Sequence, residues 1–159
     1  MIRIETASEA DIPQITSVEI ASKLQSFPDL VEDVDIDYPT REHRWKTYFA
    51  GQSPVSARPE RMVFKAIADD EMIGYIAVHL TTRYDMDAEI QSFYVLKKYQ
   101  RMGIGLNLFN AALEWLKKLG AGSLCVGVSS GNPYQYFYLK HGGDYLNQHW
   151  IFWGNIGEA

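Results

Sequence analysis

The chain has 159 residues, enough for one domain with a real core and too few for two comfortable ones. Its balance of 47% hydrophobic and 22% charged residues is that of a soluble globule, and a net charge of −5 argues against a broad nucleic-acid footprint. No apolar run approaches the roughly 20 residues of a membrane span, so no membrane partner is expected.

A single cysteine, Cys125, excludes an intrachain disulfide, and with no signal-like N-terminus a cytoplasmic setting is the expectation. Four scattered histidines, without C-x-x-C or H-x-x-x-H, predict no metal site.

Ile2 to Thr6 alternates like a short strand. Ser8 reads as an N-cap with Asp11 at the capping-box position. Ile12, Ile15, Val18 and Ile20 then give a helix from about Glu9 to Leu24, with Pro13 in its first turns. Phe27 to Thr40 carries Asp29, Glu32, Asp33, Asp35 and Asp37 between Pro28 and Pro39. It reads either as a solvated loop or as a mouth that attracts a cationic substrate. Thr40 caps a second predicted helix, Arg41 to Ala50, bearing Trp45, Tyr48 and Phe49.

Arg61 to Ala68 and Ile73 to Thr82 read as strands of a hairpin around Asp69-Asp70-Glu71-Met72. Tyr84 to Asp87 turns into a strand from Glu89 to Val95, rich in aromatic and β-branched residues. From Leu106 the period changes: Leu106, Phe109, Ala112, Leu113, Leu116 and Leu119 mark an amphipathic helix that Gly120 stops. Ser123 to Val128 is a short apolar strand. Asn132-Pro133 opens a helix through Lys140, Gly142-Gly143 stops it, and Asp144–Asn147 with Trp150–Trp153 form a closing antiparallel pair.

Between the Glu89 strand and the Leu106 helix lies Lys97-Lys98-Tyr99-Gln100-Arg101-Met102-Gly103-Ile104-Gly105. Cations and glycines at the mouth of a helix suit an anion, because the first helical N–H groups lack partners and carry partial positive charge. A third glycine at dinucleotide-fold spacing is missing, and no G-K-[ST] closes a P-loop.

Gln100-Arg101-Met102-Gly103-Ile104-Gly105, directly after the strand Glu89-Ile90-Gln91-Ser92-Phe93-Tyr94-Val95, resembles the acyl-CoA loop of the GNAT superfamily of N-acetyltransferases, Q/R-x-x-G-x-G/A. Phe137-Tyr138-x-Lys140-x-Gly142 is similar to that family's F-Y-x-K-x-G-F. Two departures stand out. Asn132 lies six residues before Tyr138 rather than seven, and Gly143 stands where the family has phenylalanine.

The resemblance implies an α/β (α+β) GNAT fold: a mixed central sheet of about seven strands with about four helices, whose fourth and fifth strands splay around acyl-CoA. One such domain is expected over residues 1–159. It implies acetyl transfer from acetyl-CoA to a primary amine by direct attack. Backbone groups of Phe93, Tyr94 and Val95 would serve the reacting carbonyl, and Gln100, Arg101, Met102, Gly103, Ile104 and Gly105 the pyrophosphate. Asn132 would touch the cofactor, and Tyr138 would protonate the leaving thiolate.

Glu89 reads either as the base, acting through water, or as a partner for Arg83; Cys125 reads as a core residue rather than a nucleophile. A polyamine, an aminoglycoside, an amino acid or a protein N-terminus all fit as acceptor, and the acidic segment favours a small cationic molecule such as a polyamine. Homodimers are common in the family, which makes Trp150, Phe152 and Trp153 candidates for a subunit contact. The alternative is a non-catalytic acyl-CoA sensor or interaction domain of the same fold.

Overall fold

The computed structural model describes residues 1–158. Strands β1 (Ile2–Thr6), β2 (Ala57–Ala68), β3 (Glu71–Thr81), β4 (Ala88–Val95), β5 (Leu124–Gly127), β6 (Asp144–Asn147) and β7 (Trp150–Trp153) form one sheet. Its order is β1-β2-β3-β4-β5-β7-β6. Only β4 and β5 run parallel; the other neighbours are antiparallel. The helices are α1 (Ile12–Ser26), α2 (Tyr38–Phe49), α3 (Ile104–Lys118) and α4 (Tyr134–Lys140).

The sheet separates two cores. On one face Ile12, Ile15 and Val18 of α1 and Trp45 and Tyr48 of α2 pack on Val63, Tyr75 and Ala77. On the other, Leu108, Phe109, Ala112 and Leu116 of α3 pack on Ile76, Val78 and Ile90, with Tyr138 of α4 beside them. The stripe read from α3 is the buried one, apart from Leu106 and Leu119, which lie exposed at its ends.

The element order matches the expectation, with shifted boundaries. Asp37, not Thr40, caps α2: its carboxylate accepts the Thr40 N–H at 3.1 Å and also the Thr40 hydroxyl, so the helix begins three residues early at Tyr38. Ser8 and Asp11 do form a capping box, but on a 3-10 turn over Glu9–Asp11 that leads into α1. Asp69 and Asp70 make the hairpin turn, both with positive φ. α3 begins at Ile104 rather than Leu106; α4 runs from Tyr134, preceded by Pro133 with helical dihedrals, and Asn132 caps its start by accepting the Tyr134 N–H at 2.9 Å.

Among the described residues no helix is long and apolar enough to cross a membrane, and no group of His, Cys, Asp and Glu is placed to hold a metal.

Candidate active site

β4 and β5 pair through only three residues each, Ala88-Glu89-Ile90 against Leu124-Cys125-Val126. β4 then continues alone to Val95 while β5 ends at Gly127, so the two strands part and leave one edge of β4 open. A bulge at Gln91 precedes the opening, since Ile90 faces Val78 but Ser92 faces Ala77. The extra residue keeps Phe93 on the α3 side and Ser92 on the α1–α2 side, where its hydroxyl lies 2.6 Å from that of Tyr75.

Backbone groups in an antiparallel pair face the partner at every second residue. Leu96 donates its N–H back to Ile73 at 2.9 Å. Val95, one residue earlier, faces the gap, and by the same alternation so does Phe93. Tyr94 faces β3 instead, so of the three residues read as backbone donors Phe93 and Val95 face the gap and Tyr94 does not. Tyr134, at the start of α4, meets Val95 there: its hydroxyl is 3.3 Å from Val95 N and 3.2 Å from Val95 O.

Gln100 reaches the same point. Its side-chain amide donates to Val95 O at 2.9 Å and lies 3.2 Å from the Tyr134 hydroxyl, so it braces the loop against β4. Gln25 of α1 accepts the Lys97 N–H at 3.0 Å, fixing the loop from the opposite side. Arg101 sits at φ 65 and Gly103 at φ 81, both left-handed, which turns the chain so that α3 starts with its N-terminus toward the gap. The first bond within α3 runs from Asn107 N to Gly103 O at 3.0 Å, leaving the N–H groups of 104 to 106 unclaimed within the helix.

Two cavities adjoin the opening and share Phe93 and Tyr134. One, of about 650 Å³, is bordered by the loop and α4, including Gln100, Arg101, Gly103, Gly105 and Phe137. Lys97, Arg101 and Lys140 line it with no acidic residue. An added Cβ on Gly103 would meet nothing within 4 Å, so backbone and cavity are in open contact. Basic walls and exposed N–H groups suit a long polyanion such as a phosphorylated cofactor arm.

The other cavity, of about 420 Å³, lies toward α1 and α2 and takes in Tyr94, Asn132 and Tyr138. Asn132 Oδ1 accepts the Tyr134 N–H at 2.9 Å and so holds the start of α4. Its place is on this second cavity rather than beside the loop. Tyr138 is 4% exposed. Burial, reinforced by Tyr94 and Tyr134, pushes its phenol well above the ordinary tyrosine value, so it keeps its proton. Met102 is 60% exposed and does not line the cavity, and the Ile104 side chain is core at 2%, so Ile104 offers a ligand only its backbone.

Glu89 is not among the residues lining either cavity. It is buried on the α1–α2 side, where Arg83 Nε donates to it at 3.0 Å and Thr81 Oγ1 at 3.3 Å, with His79 Nε2 at 3.6 Å. Burial raises its carboxyl, but His79 and Arg83 outweigh that and hold it below the ordinary 4.5. Of its two readings, the structure displays the Arg83 partnership. Cys125 is fully buried, and burial pushes its thiol up to about 12, as befits a core residue.

Of the two readings of the acidic segment, the solvated one agrees with its exposure. None of Asp29, Glu32, Asp33, Asp35 and Asp37 lines either cavity. The segment coils into two 3-10 turns, Pro28–Leu30 and Asp33–Ile36, and spends Asp37 on the α2 cap. The charged residues that do line the second cavity are Glu19, Lys23, Arg41 and Arg44, which the sequence reading passed over. The available signal was Glu19 and Lys23 at i,i+4, both buried on the α1 face that also buries Thr16 and Ser22.

Trp153 is 3% exposed and donates to His141 O at 3.0 Å, which removes it from the subunit-contact candidates. Trp150 and Phe152 are half-buried.

Residues 24–142 match the model of the acetyltransferase (GNAT) family. No curated protein matches the chain. Among solved structures, the PaiA N-acetyltransferase of Thermoplasma acidophilum in complex with coenzyme A is similar at TM-score 0.76 and 20% identity, over 96% of this chain and 97% of that one. A GNAT-family acetyltransferase of Staphylococcus aureus Mu50 is similar at 0.72 and 16%, over 98% and 99%. The ribosomal-protein-S18-alanine N-acetyltransferase of Escherichia coli is similar at 0.65 and 15%, over 96% and 93%.

Proposed function

This chain belongs to the acetyltransferase (GNAT) family, and from that premise we propose that it moves the acetyl group of acetyl-CoA directly to a primary amine. The observation that carries the reading is the parting of β4 and β5 beyond Ile90, with a basic cavity on one side and a second, polar cavity on the other. A thioester bridging the two would have its carbonyl at the open edge of β4. A structurally similar protein has been solved with coenzyme A, which supports the assignment of the loop cavity to the donor.

The donor supplies an activated acyl group. The chain's own residues bind and orient it, through N–H groups of the loop and the start of α3, with Arg101 adding charge for the pyrophosphate. The Phe93 and Val95 backbones offer N–H groups where negative charge develops on the carbonyl oxygen. Tyr138 holds the proton that the departing sulfur needs. Burial keeps the Tyr138 phenol protonated and so able to donate.

The acceptor enters the cavity bounded by α1 and α2. A polycation finds little support among the lining residues, where three cations stand against one carboxylate, although the Tyr94 phenol, raised by burial, is raised further by nearby Asp35. The single buried thiol suits a reducing, cytoplasmic setting. A second copy would pair along β6, the terminal strand of the sheet, and sedimentation at rising concentration tests that.

The test is free-thiol release from acetyl-CoA over a panel of amines. Amine-dependent release supports the enzyme. Tight acetyl-CoA binding with no release under any amine would replace it with a sensor of the same fold.

A further inference from the structure

Among the residues lining the second cavity, Lys23, Arg41 and Arg44 outnumber the single carboxylate Glu19. That carboxylate is 2% exposed and already fully engaged. Lys23 Nζ and Arg41 Nη2 both donate to Glu19 Oε2 at 2.9 Å, and Trp45 Nε1 donates to Oε1 at 2.9 Å. The Lys23 and Arg41 side chains are themselves only 10% and 14% exposed. Two nearly buried cations thus share one anion, and Arg44 brings a third cation to the rim.

The donors are under-used as well. Arg41 Nε is buried without an acceptor, and the Lys23 ammonium spends one of its three N–H groups on Glu19. Unpaired charge in a desolvated site is costly, and a bound anion relieves the cost. We infer that the acceptor carries an anionic group, carboxylate or phosphate, close to its amine, seated by Lys23, Arg41 and Arg44 in this cavity. The inference rests on the acetyl-transfer reading and specifies its acceptor.

The same charge answers a need of the chemistry. A cationic environment disfavours an ammonium ion, so an amine anchored there by its anion loses its proton more readily and becomes the nucleophile. The proton that the nitrogen sheds as the amide forms then passes to solvent, since Glu19 is engaged by Lys23, Arg41 and Trp45. The volume of about 420 Å³ fits a small acceptor, an amino acid or a phosphorylated amine.

The experiment compares matched acceptors that differ in the anion alone: phenylalanine with phenylalaninamide, and phosphoethanolamine with ethanolamine, with spermidine alongside. The expected result is a kcat/KM at least about tenfold higher for the acid of one pair; the pair that responds tells carboxylate from phosphate. Arg44→Ala and Lys23→Met should shrink that ratio toward one, with the acetyl-CoA Kd unchanged. Equal or better rates for the neutral members or for spermidine would overturn the inference. If no amine is acetylated, the enzyme reading fails separately, and calorimetry of N-acetylphenylalanine and its amide against the CoA-loaded protein still decides. Binding of the acid alone, weakened by Arg44→Ala, upholds the anion site. Equal binding of both, or of neither, removes it.

Discussion

The Tyr134 hydroxyl lies between the N–H and the carbonyl of Val95, 3.3 and 3.2 Å away, and so occupies the open edge of β4. It supplies a hydrogen-bond partner that the missing strand would have given. A ligand that pairs with β4 at Val95 must displace it. Tyr134→Phe removes the competitor along with a net hydrogen bond. The variant should be less stable by about 0.5–1.5 kcal/mol, yet bind acetyl-CoA at least as tightly as the wild type. Urea unfolding and calorimetry check the two parts; a large loss of affinity would mean that the hydroxyl holds the ligand itself.

Tyr138→Phe keeps the ring contacts with Phe93 and Trp153 and deletes only the proton donor. Positioned acids contribute about 10²–10⁴-fold, so kcat should fall at least tenfold with the acetyl-CoA Kd unchanged. Because burial raises the phenol, wild-type activity should show no alkaline loss from this group below about pH 10. Equal rates in the two proteins would remove Tyr138 from the mechanism.

Glu89→Gln separates the buried ion pair from a catalytic role. The carboxylate is 6% exposed but Arg83 is 34% exposed, so solvent weakens the pair and a loss of about 1–2 kcal/mol is expected. The folded carboxyl lies below 4.5, so its contribution is present above that pH and fades as pH falls through the folded value. The stability gap between wild type and variant should therefore close in acid, with kcat near neutrality changed less than about threefold. A large fall in kcat with little change in stability would restore Glu89 as the base.

Gly143, where the family has phenylalanine, cannot accept that residue in this packing. A Cβ there would lie 2.6 Å from Ile151 Cγ2 and 2.9 Å from the Tyr138 carbonyl oxygen. Gly143→Phe should cost at least about 1–3 kcal/mol through overpacking. The strain falls on the backbone of Tyr138, so kcat should drop as well. Thermal unfolding and steady-state rates provide the check, and an unperturbed Gly143→Phe would show that β7 can yield.

The donor side was legible because its signals are local. A strand, a loop and a helix in unbroken sequence carry the spacing of Gln100, Gly103 and Gly105, and helix physics then fixes where the N–H groups point. The acceptor side was not, because Glu19, Lys23, Arg41 and Tyr94 come together only through tertiary packing. Acidic composition misled for the same reason: a run of carboxylates at 29–37 says nothing about which way the segment faces. Glu89 was ambiguous until His79 and Arg83 were placed beside it by strand register and a tight turn. The α2 cap lies three residues from the expected one, because Asp37 and Thr40 are both polar and only the fold decides that Asp37 takes the N–H of Thr40.

The two cavities share only Phe93 and Tyr134, yet both draw on β4 and α4: Asn132 and Tyr138 line one, Pro133, Phe137 and Lys140 the other. The cationic side chains of the acceptor cavity all lie between residues 23 and 44, before the first long strand of the sheet begins, whereas the donor loop and α4 follow β4. That stretch is nonetheless tied to the loop after β4, because Gln25 accepts the Lys97 N–H and Ser26 lines the loop cavity, so a change in α1 is felt on both sides of the opening.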